Sequence, residues 1–296
     1  MKRAAVLVAM LGAASLLSGQ QTAPQSTQPA QSATPATGAA ETTPPAKHPP
    51  QAKTQPEFDA YKAAGANANN GQAMEKAADD FATKFPDSEL RPILYRNAMH
   101  AYQAANDADK MMEMGRKVLK IDPDDPEALI GVSEVLAERT RESDLDKDQR
   151  LDEATQLAQR ALTTVDTDII PPAGTPQDKL DAYKGFLKSS AYSILGTLSF
   201  NKEKFPEAEG YFRKSIEALP SQPDPVAVLR LALSLDKQNK YAEALKEANH
   251  AVELTDENSA AGGLARRERD RLVQLTGGSG APANKPPAGN TAAPQK

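Results

Sequence analysis

Cysteine and tryptophan are both missing from this sequence, and phenylalanine and tyrosine number only seven each in 296 residues. Without a thiol there is no disulfide, no thiolate metal site and no cysteine to carry a lipid anchor. The absence of cysteine also suits an oxidising compartment. So few aromatics argue against one compact core of this length and suit a solenoid, whose core is a thin stripe. Histidine is scarcer still: His48, His100 and His250 lie far apart, with no helical pair to bind zinc. No Gly-x-Ser-x-Gly elbow and no phosphate-binding loop occur. The alternating acids Asp144, Asp146 and Asp148 suggest a calcium loop, but its sixth and twelfth places need Gly and Glu and hold Gln149 and Thr155. That stretch reads as a solvated, charged extension. The expectation is a protein that is not an enzyme and carries no cofactor or metal.

The two ends are poor in anything a core could use. Met1, Lys2 and Arg3 precede an apolar run at 4–17, followed by small and polar residues at 18–20. This is the pattern of a removed export signal, here residues 1–20, and the run is short for a membrane span. Residues 21–54 are mostly Gln, Thr, Pro, Ala and Ser, and 277–296 are similar; together they hold 11 of the 23 prolines. Such segments cannot offset their ordering entropy and are expected to be disordered, the first as a linker and the second as a tail. Between them, 55–276 carries 29 basic and 39 acidic residues, a net charge of −10. That sign disfavours nucleic acid and anionic membrane surfaces as partners. The protein is thus expected to be exported, periplasmic or secreted, with no stable membrane anchor once the signal is removed.

What the middle does contain is a repeated pair of apolar stripes. At 189–221, Tyr192 and Leu195 precede Gly196, Phe200 ends a first stripe and 201–204 make a turn. Phe205, Ala208, Phe212 and Ile216 then form a second stripe at helical spacing, closed by Pro220. Gly196 and Ala208 stand where the two helices cross. Weaker copies recur. Tyr95, Ala98, Met99 and Tyr102 are answered by Met111, Gly115, Val118 and Leu119. Leu129, Val132, Ser133 and Leu136 are answered, after a charged insertion, by Leu151, Ala154, Ala158 and Ala161. Val228, Leu231, Ala232 and Leu235 are answered by Tyr241, Ala244, Ala248 and Ala251, and Phe58 and Tyr61 by Met74, Ala78 and Phe81. Ser88 is placed as the helix cap of the second pair. Thr175 and Pro176 start a long helix over about 177–200, some three turns longer than the other first helices. Ser259 can cap a last helix in which Leu264, Leu272 and Leu275 are diluted by arginines.

The pattern resembles the tetratricopeptide repeat, a helix–turn–helix unit of about 34 residues. The resemblance covers 55–276, with units at about 55–88, 92–125, 126–166, 189–222 and 225–258 and a capping helix at 259–276. It implies an all-α, right-handed α-solenoid that binds a protein or peptide partner in a concave groove lined by the first helix of each unit. Facing that groove it places Arg96, His100 and Gln103, then Glu127, Glu134 and Glu138. Thr197, Phe200 and Asn201 follow from the fourth unit, and Leu229, Arg230, Leu233, Asp236 and Lys237 from the fifth. The Lys/Asn clamp by which chaperone-binding members hold a peptide's terminal carboxylate is not recognisable. The other reading of such a scaffold is a structural subunit of a cell-envelope assembly, held by its ends and convex face.

Overall fold

The computed structural model describes residues 48–172 and 174–277. The residues read as an export signal and as a linker, up to 47, and as a tail, from 278, lie outside the described residues. The last residues of the expected linker are ordered instead, Gln51 N donating to Glu89 and Lys53 Nζ to Asp87 O. The described chain is all helix and turn, arranged as five helical hairpins and one further helix. The hairpins are α1 (Gln55–Gly65) with α2 (Gly71–Lys84), α3 (Arg91–Ala104) with α4 (Ala108–Ile121), and α5 (Pro126–Arg139) with α6 (Lys147–Thr164). They continue with α7 (Gln177–Asn201) and α8 (Phe205–Ala218), then α9 (Pro225–Asp236) and α10 (Tyr241–Glu253), and end at α11 (Ala260–Leu275).

Local chemistry explains where these helices start and turn. Thr54, Asn70, Asp107, Asp125, Asp224 and Ser259 each accept a hydrogen bond from a first-turn N–H of the helix that follows. Thr54 and Glu57 act together: Thr54 caps Glu57 N while the Glu57 carboxylate accepts from Lys53 N at 2.7 Å, a variant of the capping box. Ser88 does not cap α3. Its hydroxyl accepts from Leu90 N, and α3 starts after Leu90 with no side-chain cap, because the chain makes one more turn there. Thr175 likewise closes a turn on Pro172 O, and Pro176 takes the capping place before α7. Asn106, Glu203 and Asn239 stand at equivalent turns with φ of 57°, 56° and 59°. In all three turns the next N–H reaches back to a carbonyl of the preceding helix, Asp107 to Tyr102, Lys204 to Ser199 and Lys240 to Leu235.

Each helix packs on its neighbours in sequence, and each first helix also reaches the first helix before it. Small residues permit the approach. A Cβ at Gly196 would stand 2.7 Å from the Phe212 ring, and one at Gly115 2.7 Å from Val132. Buried hydroxyls find carbonyls, Ser133 on Ala154 O and Ser215 on Ser189 O. The 25-residue α7 reaches back past the hairpin it belongs to. Its Tyr183 and Leu187 are buried in one cluster with Leu151, Ala161 and Val165 of the α6 region, and Lys188 pairs with Asp166 at 2.7 Å. Helix α11 packs on α10 and α9 as α9 packs on α8 and α7, so it occupies the place of a sixth first helix.

Candidate partner-binding groove

The first helices α3, α5, α7, α9 and α11 are joined side to side by their polar side chains. From α3, the Arg96 guanidinium donates to Asp125 at 2.6 Å and lies 3.5 Å from Glu127, both at the start of α5. His100, one turn on, places Nε2 2.9 Å from the other Glu127 oxygen. Tyr183 of α7 adds a hydrogen bond to Glu127. Further along, Arg230 of α9 donates to the Thr197 hydroxyl of α7, which itself donates to Ser193 O. Arg271 of α11 meets Asp236 of α9 at 2.5 Å and Glu268 at 2.9 Å. These crossings place the exposed faces of the first helices on one continuous surface.

The two carboxylates beside Arg96 are not equivalent. Asp125 is buried and spends one oxygen on Ala128 N as the α5 cap, at 2.9 Å. Burial pushes its carboxyl up, against the pull of Arg96 and with the added repulsion of Glu127. Burial also acts to raise Glu127, but the Arg96 charge, His100 and the Tyr183 hydroxyl outweigh it and hold that carboxyl down at about 2. Tyr183 is raised, first by burial and then by the Glu127 charge. Arg96 is itself held protonated: burial opposes its charge and the Glu127 and Asp125 carboxylates outweigh that. One guanidinium is therefore shared between two acids.

The residues expected to face the groove divide into two sets. Glu127 does not face it freely: its side chain is 11% exposed and its oxygens are engaged by three neighbours. The cause is Tyr183, carried over the start of α5 by the extension of α7. Arg96 and His100 remain 26% and 20% exposed at the side chain, at the edge of the same cluster. Leu229 is not a groove residue either. It is buried in a cluster with Val228, Ala251 and Ala265, since α11 lies over the side of α9 that an ending at the fifth unit would leave open. Asp236 is half-buried against Arg271. Gln103, Glu134, Thr197, Phe200, Arg230 and Leu233 are half-buried, and Glu138, Asn201 and Lys237 are exposed. Asp125 and Tyr183 went unread in the sequence as members of the cluster. Asp125 had a signal, since an acid directly before Pro126 at a helix start is a cap. Tyr183 had none beyond its place on an apolar stripe.

No protein-family model matches the chain, and no curated protein matches its sequence. Solved structures do. One, described as the functional characterization of Pseudomonas aeruginosa pilF, is 19% identical with a TM-score of 0.53, covering 76% of this chain and 87% of its own. YrrB, described as a TPR protein with an unusual peptide-binding site, is 16% identical with a TM-score of 0.45, covering 68% of this chain and 86% of its own. TTC0263, a thermophilic TPR protein of Thermus thermophilus, is 12% identical with a TM-score of 0.44, covering 74% of this chain and 98% of its own. With its successive helical hairpins, shared turn geometry and parallel first helices, the chain has the tetratricopeptide-type fold, an all-α solenoid.

Proposed function

We propose that the protein is an exported scaffold that holds a protein or peptide partner in the groove lined by its first helices. The observation that carries this is the chain of side-to-side contacts Arg96–Asp125, Glu127–Tyr183, Thr197–Arg230 and Asp236–Arg271, which joins four units and α11 into one extended surface. A surface assembled from many units suits an extended segment, because each unit adds contacts in register with the last. Export is supported by the sequence pattern of residues 1–20 and by the absence of cysteine. Among the described residues no helix is long and apolar enough to cross a membrane.

A photo-crosslinking side chain placed in cells of the source organism at Asn201, Lys237 or Glu138 tests the reading. All three are exposed and outside the ion cluster. The expected result is a discrete crosslinked partner from these positions and none from an exposed second-helix position such as Lys246. Crosslinks confined to second helices and the ends would move the function to the convex face, and intact mass lacking roughly the first 20 residues would accompany export.

A further inference from the structure

We propose that the C-terminal end of the groove, around Leu233, Lys237 and Arg267, docks an acidic segment of the partner in which carboxylates flank an apolar side chain. This rests on the scaffold reading and names the chemistry of what the groove holds. The starting point is a substitution between two equivalent crossings. Consecutive helices run antiparallel, so α7, α9 and α11 run parallel to one another. Between α7 and α9, the Arg230 guanidinium donates to the hydroxyl of Thr197. Between α9 and α11, the Asp236–Arg271 contact fixes the register. Arg267 stands one turn before Arg271 and is therefore level with Leu233, one turn before Asp236. Where the first crossing offers its arginine a hydroxyl, the second offers leucine.

Arg267 is exposed and its side chain has no hydrogen-bond or ion-pair partner among the described residues, and the same holds for the side chain of Lys237. The nearby acids are already matched: Asp236 and Glu268 by Arg271, and Asp270 by Arg269. Half-buried Leu233 gives the place an apolar floor. The rest of the solenoid sharpens the contrast. Residues 55–224 carry 21 basic and 31 acidic side chains, a net −10, whereas 225–276 carry eight of each and are neutral. An acidic segment is repelled along most of the molecule and attracted where two cations flank an apolar patch. Charge complementarity of this kind fixes register and excludes wrong partners. A basic segment would instead set like charges against Lys237 and Arg267.

The test uses the full chain and fluorescence anisotropy with a short labelled peptide of leucine and glutamate, beside the same peptide with glutamine or lysine for every glutamate. The glutamate peptide is expected to bind about tenfold tighter than the glutamine form, and less tightly as salt rises. Arg267→Glu and Lys237→Glu should each weaken it by about tenfold with an unchanged melting midpoint, because both side chains are exposed. No binding of the glutamate peptide, equal binding of the glutamine form, or equal competition by a single-stranded oligonucleotide overturns the proposal. The scaffold reading fails separately. If groove positions crosslink a partner whose capture survives Arg267→Glu, the acidic dock is wrong and the scaffold stands. If no groove position captures anything, the scaffold reading itself falls.

Discussion

The two halves of the surface formed by the first helices use charge in opposite ways. In the half built by α3, α5 and the extension of α7, Arg96, His100, Asp125, Glu127 and Tyr183 face one another and little is left for a partner. In the half built by the end of α7, α9 and α11, Arg230 meets Thr197 and Arg271 meets Asp236 and Glu268, while Lys237 and Arg267, level with Leu233, have no side-chain partner among the described residues. The first arrangement locks three units together; the second leaves side chains to meet something else. The cause is the long α7. By carrying Tyr183 over the start of α5 it removes Glu127 from water, and a carboxylate so placed must be paired.

The largest effect should come from breaking the locked half. Arg96→Ala leaves Asp125 and Glu127 buried together without their shared cation, and should cost about 3–5 kcal/mol. Arg267→Ala, at the same kind of position in the open half, should change stability by no more than about 0.5 kcal/mol. Urea unfolding of the two variants side by side checks the contrast. Similar losses in both would show that the halves are not different in kind.

Next in size is a comparison within α9. Leu229 is 5% exposed and clusters with Ala251 and Ala265, while Leu233, one turn on, is half-buried. Leu229→Ser should cost about 2–3 kcal/mol from lost burial and a stranded hydroxyl. Leu233→Ser should cost about 1 kcal/mol, scaled by its partial burial, and should lower partner capture more than it lowers the melting midpoint. Equal destabilisation by both, with capture per folded molecule unchanged, would make Leu233 a core residue and empty the open half of its apolar floor.

The helices themselves were legible in the sequence because their information is local. Stripes of Tyr95, Ala98, Met99 and Tyr102, or of Val228, Leu231, Ala232 and Leu235, sit at helical spacing and are buried as that spacing implies. Thr175 and Pro176 announced the long α7, which runs from Gln177 to Asn201. The groove was less legible, because whether a first-helix residue faces water depends on what a distant segment covers. Nothing local to Glu127 says that Tyr183, more than fifty residues later, will roof it. Nothing local to Leu229 says that α11 will lie across α9. Repeat position places a side chain on a face, and the departures from the repeat decide whether that face is open.

The finest test of the locked half lies in acid, where two opposed contributions are read against each other. Glu127 is held down at about 2 in the folded protein, below the ordinary 4.5. A depressed carboxyl contributes stability that is present above its unfolded value and is lost as pH falls from there toward the folded one. Asp125 is pushed the other way, above its ordinary 3.8, by its burial. A raised carboxyl opposes folding when ionised, so its contribution improves as pH falls through the folded value. The two contributions have opposite sign and meet at one guanidinium, so they oppose each other as pH falls from about 5 toward 2, where the Glu127 contribution is lost. Each substitution should unmask the other. Glu127→Gln should lose less stability on acidification than the unaltered protein, since the group that weakens in acid is gone. Asp125→Asn, which keeps the α5 cap because asparagine also caps, should lose more, since the relief is gone. Urea midpoints measured across that range for all three proteins give the slopes. Two variants that steepen together, or flatten together, would mean that the carboxylates do not share Arg96 in the way their geometry requires.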